Sequence, residues 1–183
     1  MNRILGIAVA GALVAGCAGM GMGGGSAAPS AAPAATATAT LEATKGNTAS
    51  GIVTFTQRGN TVAVNAKVTG LKPNAEHGFH VHEKGDCSSG DGMSTGGHFN
   101  PGGKPHGHGG AAPENHAGDM PNLRADASGN ASASFNLTTI SVGSGAADVV
   151  GKGLIVHRDP DDYKTQPTGN AGPRLACAVI KKS

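Results

Sequence analysis

The sequence predicts an all-β protein, an antiparallel barrel or sandwich of about eight short strands with two long functional loops. Three observations lead there. Charged residues are 14% and aromatics 3% of the 183 residues, with no Trp, while glycine supplies 31, a composition suited to strands and turns and not to a helical bundle. Several runs alternate apolar and polar residues at period two, and none holds a helical period. Two stretches, 83–122 and 158–173, break every period and are rich in Gly, Pro, Asn and Asp.

Each element follows from local chemistry. "GIVTFTQ" sets Val53 and Phe55 against Ile52, Thr54 and Thr56, and Arg58-Gly59-Asn60 reads as the turn after it. "TVAVNAKV" puts Val62, Val64, Ala66 and Val68 on one face. "GFHVH" places Phe79 and Val81 opposite His80 and His82. "LRADA", a Ser128-Gly129-Asn130 turn, "ASASFNLT", the apolar "GKGLIVH" and "RLACAVI" complete the strands. A loop of about forty residues argues against a compact domain unless a ligand orders it.

The ends of the chain read differently. Arg3 and the apolar run from Ile4 to Ala15 form an export signal too short to span a bilayer. It ends in "VAGC", which resembles a bacterial lipobox. That implies a lipoprotein-type signal over 1–17, with Cys17 lipidated as the mature N-terminus. An ordinary cleaved secretory signal is the alternative, and both export the chain. Residues 18–40 hold only Ala, Gly, Met, Ser, Pro and Thr and read as a flexible tether, so the folded domain is expected over 41–183. Of the three cysteines, Cys87 and Cys177 remain to pair if Cys17 carries lipid; two free buried thiols are the alternative. The net charge of +2, with no basic stripe, excludes a nucleic-acid partner.

Seven of the eight histidines lie between Glu76 and Asp119, and the eighth is His157. Neutral imidazole is the commonest protein metal ligand, so a metal site is expected. His80 and His82 are two apart on a strand and share a face. With His98 from the long loop and His157 at another strand's end they make a four-nitrogen set suited to Cu(II). His106, His116 and Asp119, with His98 shared, make a His₃Asp set suited to Zn(II). Spacing does not separate His106 from His108. His77 shares the parity of Phe79 and Val81 and is expected to be structural.

"GFHVHEKGDC", "GGHFNP", "KPHG", "HAGDMPNL", "GLIVHRDPDDY" and "GPRLACAVI", in that order, resemble the signatures of copper/zinc superoxide dismutase over 41–183. The resemblance implies a Greek-key β-barrel and an enzyme that converts superoxide to dioxygen and hydrogen peroxide by cycling Cu(II)/Cu(I). It implies His80, His82, His98 and His157 as copper ligands, and His98, bridging, with His106, His116 and Asp119 as zinc ligands. The "KPHG" segment selects His106 over His108. Asp161 matches a carboxylate linking a copper ligand to a zinc ligand, Arg174 the arginine that docks the anion, and Cys87 and Cys177 the family disulfide. Lys164 is a further cation for drawing superoxide in. The implied location is periplasmic or cell-envelope, anchored through Cys17. No mark of a dimer interface is present, so monomer and homodimer both stay open. Two other classes compete: a metal-buffering protein, which would have no need of Arg174, and an adhesive β-sandwich lipoprotein, which leaves the histidine spacing unexplained.

Overall fold

The computed structural model describes residues 33–110 and 114–183. The export signal, Cys17 and residues 18–32 of the expected tether lie outside the described residues.

Ten strands are found among the described residues: β1 (Thr36–Ala43), β2 (Ser50–Arg58), β3 (Thr61–Thr69), β4 (Glu76–His77), β5 (Phe79–His82), β6 (Leu123–Arg124), β7 (Ala131–Leu137), β8 (Gly153–His157), β9 (Arg174–Val179) and β10 (Lys181–Lys182). All strand pairings are antiparallel, and the main sheet runs β5-β8-β9-β1-β2-β3-β7, with β10 also on β1. Strand β1 serves two partners. Its Thr36–Leu41 stretch pairs with β2, and Glu42 and Ala43 pair with β9. It thereby curls one half of the sheet over the other. The expected all-β antiparallel architecture is present.

The domain starts earlier than the tether reading allowed. "TATAT" is not linker: Ala37, Ala39 and Leu41 are buried while Thr36, Thr38 and Thr40 are not. The residues are small, so composition hid a period-two strand. Alanine at these positions lets β1 approach Val53 and Phe55 of β2 closely, and all of them join one core cluster.

Strand parity decides the two faces of the β5-β8-β9 half. Phe79, Val81, Leu154, Val156, Ala176 and Ala178 belong to the core cluster. His80, His82, Ile155 and His157 alternate with these core positions along β5 and β8 and are also buried. A register shift between Val156 and His157 makes His157 the cross-strand partner of Arg174. A bulge of this kind bends the strand and re-aims the side chain that follows. It brings the last histidine and the arginine side by side.

The long loop is ordered by main-chain bonds to β5. Val81 N–H donates to the Gly118 carbonyl at 2.9 Å, and Phe99 N–H donates to the Val81 carbonyl at 2.8 Å. Isolated bridges pair His82 with His98 and His80 with Asp119. The outer side of β5 is therefore covered by the loop. The glycine of "HAGD" makes this approach possible, since a Cβ on Gly118 would collide with the Val81 carbonyl and crowd Phe99. Cys87 and Cys177 are bridged, tying the start of the loop to β9 across a separation of 90 positions. Closing so long a loop stabilises by about 4–5 kcal/mol in the chain-entropy model.

Candidate metal centre

Two groups of donors share one histidine. His80, His82, His98 and His157 form one group, and His98, His106, His116 and Asp119 the other. In each, the donor atoms lie within 4.8 Å of one another and all residues are buried. The two ambiguous histidines fall outside both groups. His108 is exposed and stacks near Tyr163, with ring centroids 4.3 Å apart. His77 is buried, and its Nδ1–H donates to the His157 carbonyl at 2.9 Å; its Nε2 is also without a partner but converges with neither donor group.

In the first group, every ring spends one nitrogen on an acceptor. His82 Nδ1–H donates to the Gly96 carbonyl at 3.0 Å, and His157 Nδ1–H to the Gly172 carbonyl at 3.0 Å. His80 Nε2–H donates to Asp161 Oδ2 at 2.7 Å, and His98 Nδ1–H to Asp119 Oδ1 at 2.9 Å. A carbonyl or carboxylate only accepts, so each bond fixes the tautomer and leaves a lone pair on the other nitrogen. Those four nitrogens, His80 Nδ1, His82 Nε2, His98 Nε2 and His157 Nε2, are buried without a hydrogen-bond partner. An unsatisfied buried polar atom costs about 1–3 kcal/mol. Four converging lone pairs, already oriented by their partner nitrogens, fit a cation of the copper type.

Electrostatics agree with that donor set. Burial holds His80 and His82 below the ordinary imidazole value. Burial also lowers His98 to about 4, against the pull of Asp119, and His157 to about 3, helped by the repulsion that a second proton would meet from His80, His98 and Arg174. Neutral imidazole is the form that binds a metal.

The second group has a carboxylate at its middle. Asp119 Oδ2 accepts the main-chain N–H groups of Gly107 at 3.0 Å and His116 at 3.1 Å. That leaves Oδ1 facing three ring nitrogens: His98 Nδ1 at 2.9 Å, His106 Nδ1 at 3.0 Å and His116 Nδ1 at 3.4 Å. His116 Nδ1 and His98 Nδ1 are 3.4 Å apart. A tetrahedron of nitrogens at 2.0–2.1 Å from zinc has edges of about 3.3 Å, so these four donors fit that ion. Burial opposes charge on Asp119, but the three imidazoles outweigh it and hold its carboxyl far below the usual range. Asp161 links the groups, accepting from His80 through Oδ2 and from His106 Nε2 through Oδ1 at 2.9 Å. Burial is likewise outweighed there, and Asp161 stays ionised well below the usual range. His106 is charged up to about 9 in the metal-free protein, since Asp119 and Asp161 together overcome its burial.

Arg174 lies beside the first group. Its Nη1 donates to the Gly92 carbonyl at 2.6 Å and to Thr95 Oγ1 at 2.7 Å, and its Nη2 to the Gly96 carbonyl at 2.7 Å. Gly96 therefore accepts from both Arg174 and His82. Sequence reasoning did not single out Thr95 or Gly96, because their part is played by carbonyl and hydroxyl oxygens that no motif marks. Arg174 pairs with neither Asp161 nor Asp162. Lys164 is exposed, and its main-chain N–H caps Asp162.

Known proteins share this pattern. A family profile described as copper/zinc superoxide dismutase (SODC) matches residues 49–180. Superoxide dismutase [Cu-Zn] 2 of Aquifex aeolicus is 44% identical over 137 residues, covering 69% of this chain and 74% of that protein. Superoxide dismutase [Cu-Zn] of Schizosaccharomyces pombe is 42% identical over 139 residues, covering 72% of this chain and 88% of that protein. The crystal structure of the clock protein EA4 superposes with a TM-score of 0.73 at 41% identity, covering 82% of this chain and 96% of that one. Matches of this length and identity have one reading: the chain belongs to the copper/zinc superoxide dismutase family.

Proposed function

We propose that His80, His82, His98 and His157 hold copper and that His98, His106, His116 and Asp119 hold zinc. The observation that carries this reading is the set of four buried, unpartnered nitrogens on the first four residues. The reaction is the family's: two superoxide anions and two protons become dioxygen and hydrogen peroxide. Copper supplies the one-electron couple for it, and zinc supplies charge without redox chemistry.

The protein's own residues do the remaining work. Arg174 draws the anion toward the copper side. Its charge is permanent, and three of its N–H groups are spent on the loop. Its Nε–H and one Nη2–H have no protein acceptor among the described residues and serve the substrate. Lys164, being exposed, adds to the attracting field. His98 presents Nδ1 to the zinc set and Nε2 to the copper set, so Nε2 is where the shared ring takes up a proton and hands it on. Asp161 holds the rings of His80 and His106 by their Nε2 atoms and keeps both correctly turned.

Metal analysis of the purified protein beside a dismutation assay tests this reading. One copper and one zinc per chain are expected. Full activity with copper in a protein that never retains zinc overturns the His106, His116 and Asp119 assignment.

We further propose that the chain is exported and anchored in the periplasm or cell envelope through lipid on Cys17, with residues 18–32 as tether. The apolar run from Ile4 to Ala15 and "VAGC" support the anchor. The Cys87–Cys177 bridge supports an oxidising compartment. Mass spectrometry of the mature protein decides the anchor, and a chain beginning well after Cys17 refutes it.

A further inference from the structure

His106 lacks the strand, bridge or closed turn that supports each of the other donors. Beside it, Asn100 holds both peptide groups of Lys104 and Asp119 Oδ2 accepts from Gly107 N–H, but neither bonds the main chain of His106 itself. Its neighbours are Gly, Lys, Pro and Gly, and no strand runs through Gly102–His108. The other six lie on β5 or β8, in the bridges to β5, or in the turn closed by Asp119 N–H on the His116 carbonyl at 3.2 Å. His106 has none of these.

Gln166 takes their place. Its Oε1 accepts the His106 main-chain N–H at 2.8 Å, and its Nε2–H donates to the His106 carbonyl at 2.9 Å. One primary amide thus pairs with both peptide groups of a single residue, as an adjoining strand would, from 60 positions away. Fixing both groups fixes the Cα–Cβ direction and so the line along which the ring enters the site. The ring then meets Asp119 through Nδ1 and Asp161 through Nε2. The same loop closes over that contact. A Cβ on Gly169, whose φ is +65°, would collide with Asp161 Oδ1 and press on His106 Nε2.

We propose that Gln166 is a positioning residue for zinc: its amide sets where His106 stands and so couples the hold on zinc to the Arg158–Pro173 loop. This rests on His106 being a zinc ligand. Groups that orient a ligand change metal affinity by about 10–100-fold when removed. Gln166 is exposed, so water competes for its two bonds and the lower end of that range applies.

The test is zinc release from the loaded protein into a chromogenic chelator, read beside hydrogen exchange of the His106 amide in the metal-free protein. Gln166→Met is nearly isosteric and loses both bonds; zinc should leave about tenfold faster and the amide should lose protection. Gln166→Glu keeps the acceptor for the N–H but sets a carboxylate against the carbonyl. It should protect the amide as the parent does, yet release zinc about threefold faster. It also carries the test should Gln166→Met not fold. Copper content should be unchanged in both. Release from Gln166→Met within about twofold of the parent, with His106→Ala unable to hold zinc, overturns the positioning role. Faster release from Gln166→Met with an undiminished His106 amide overturns it too. A His106→Ala protein that holds zinc as the parent does overturns the ligand assignment beneath it.

Discussion

The proposed copper side and the proposed zinc side of this centre are built on opposite principles. On the copper side, strands aim the rings, and the four inward nitrogens are left unpartnered. On the zinc side, donors come from the loop, and one carboxylate oxygen already faces three rings. Without metal, the first set is a concentration of unmet acceptors on β5, β8 and the loop segment bridged to β5. The second is an internally compensated cluster of opposite charges. The copper set is thus preformed at a cost in stability, while the zinc set contributes to holding the loop even when empty.

Removing one donor from each side breaks or sharpens that contrast most strongly. His157→Ala should abolish copper retention and lower dismutation by more than about a hundredfold, beyond what loss of an orienting neighbour causes. Zinc content should be unchanged, since His157 lies outside the zinc set. Asp119→Ala should release zinc and also destabilise the metal-free protein by about 1.5–3 kcal/mol, because charged His106 loses one of its two buried carboxylate partners and keeps only Asp161. Metal analysis, activity and thermal melts of the two variants distinguish these outcomes. Equal loss of metal-free stability in both would contradict the contrast.

Acidity separates the two sides next. Burial holds the four copper-side histidines below 6.5, with His98 at about 4 and His157 at about 3. Below 6.5 the unfolded chain therefore binds more protons, and metal-free stability should fall as pH drops from 6.5 toward 4, by at least about 3 kcal/mol. His106 has the opposite sign. Its pKa is raised to about 9, so its contribution is complete below 6.5 and is lost as pH rises through about 9. Calorimetry of the metal-free protein from pH 4 to 9 should show a stability maximum near neutrality, and His157→Ala should flatten only the acid limb.

The smallest effect concerns substrate, not metal. Arg174→Ile should lower the rate by about tenfold, or about 1.4 kcal/mol of barrier, with both metals retained. Arg174→Lys should fall between, keeping charge without the fork of donors. The parent rate should decline with ionic strength, and Arg174→Ile should lose much of that dependence. An unchanged rate and salt profile in Arg174→Ile would assign attraction of the anion to Lys164 or the centre itself.

Much of this was legible along the chain because its causes are local. Period two puts His80 and His82 on one face whatever the rest of the protein does, and alternation in "TVAVNAKV" makes β3 in the same way. Residue type limits which ions a set of imidazoles and one carboxylate will take. Low-complexity "TATAT" misled for a related reason: small residues carry little hydrophobic signal, and only the neighbouring β2 shows that Ala37 and Ala39 are core. Tertiary structure decided what depends on contacts between distant segments. His106 is buried and His108 exposed because Asp119, Asp161 and Gln166, at 13, 55 and 60 positions from His106, converge on it and not on His108. The bulge before His157, the two bridges onto β5 and the shared Gly96 carbonyl belong to the same class. Main-chain hydrogen bonds carry no residue code, so no motif announces them, and they are what turn seven donors into two sites.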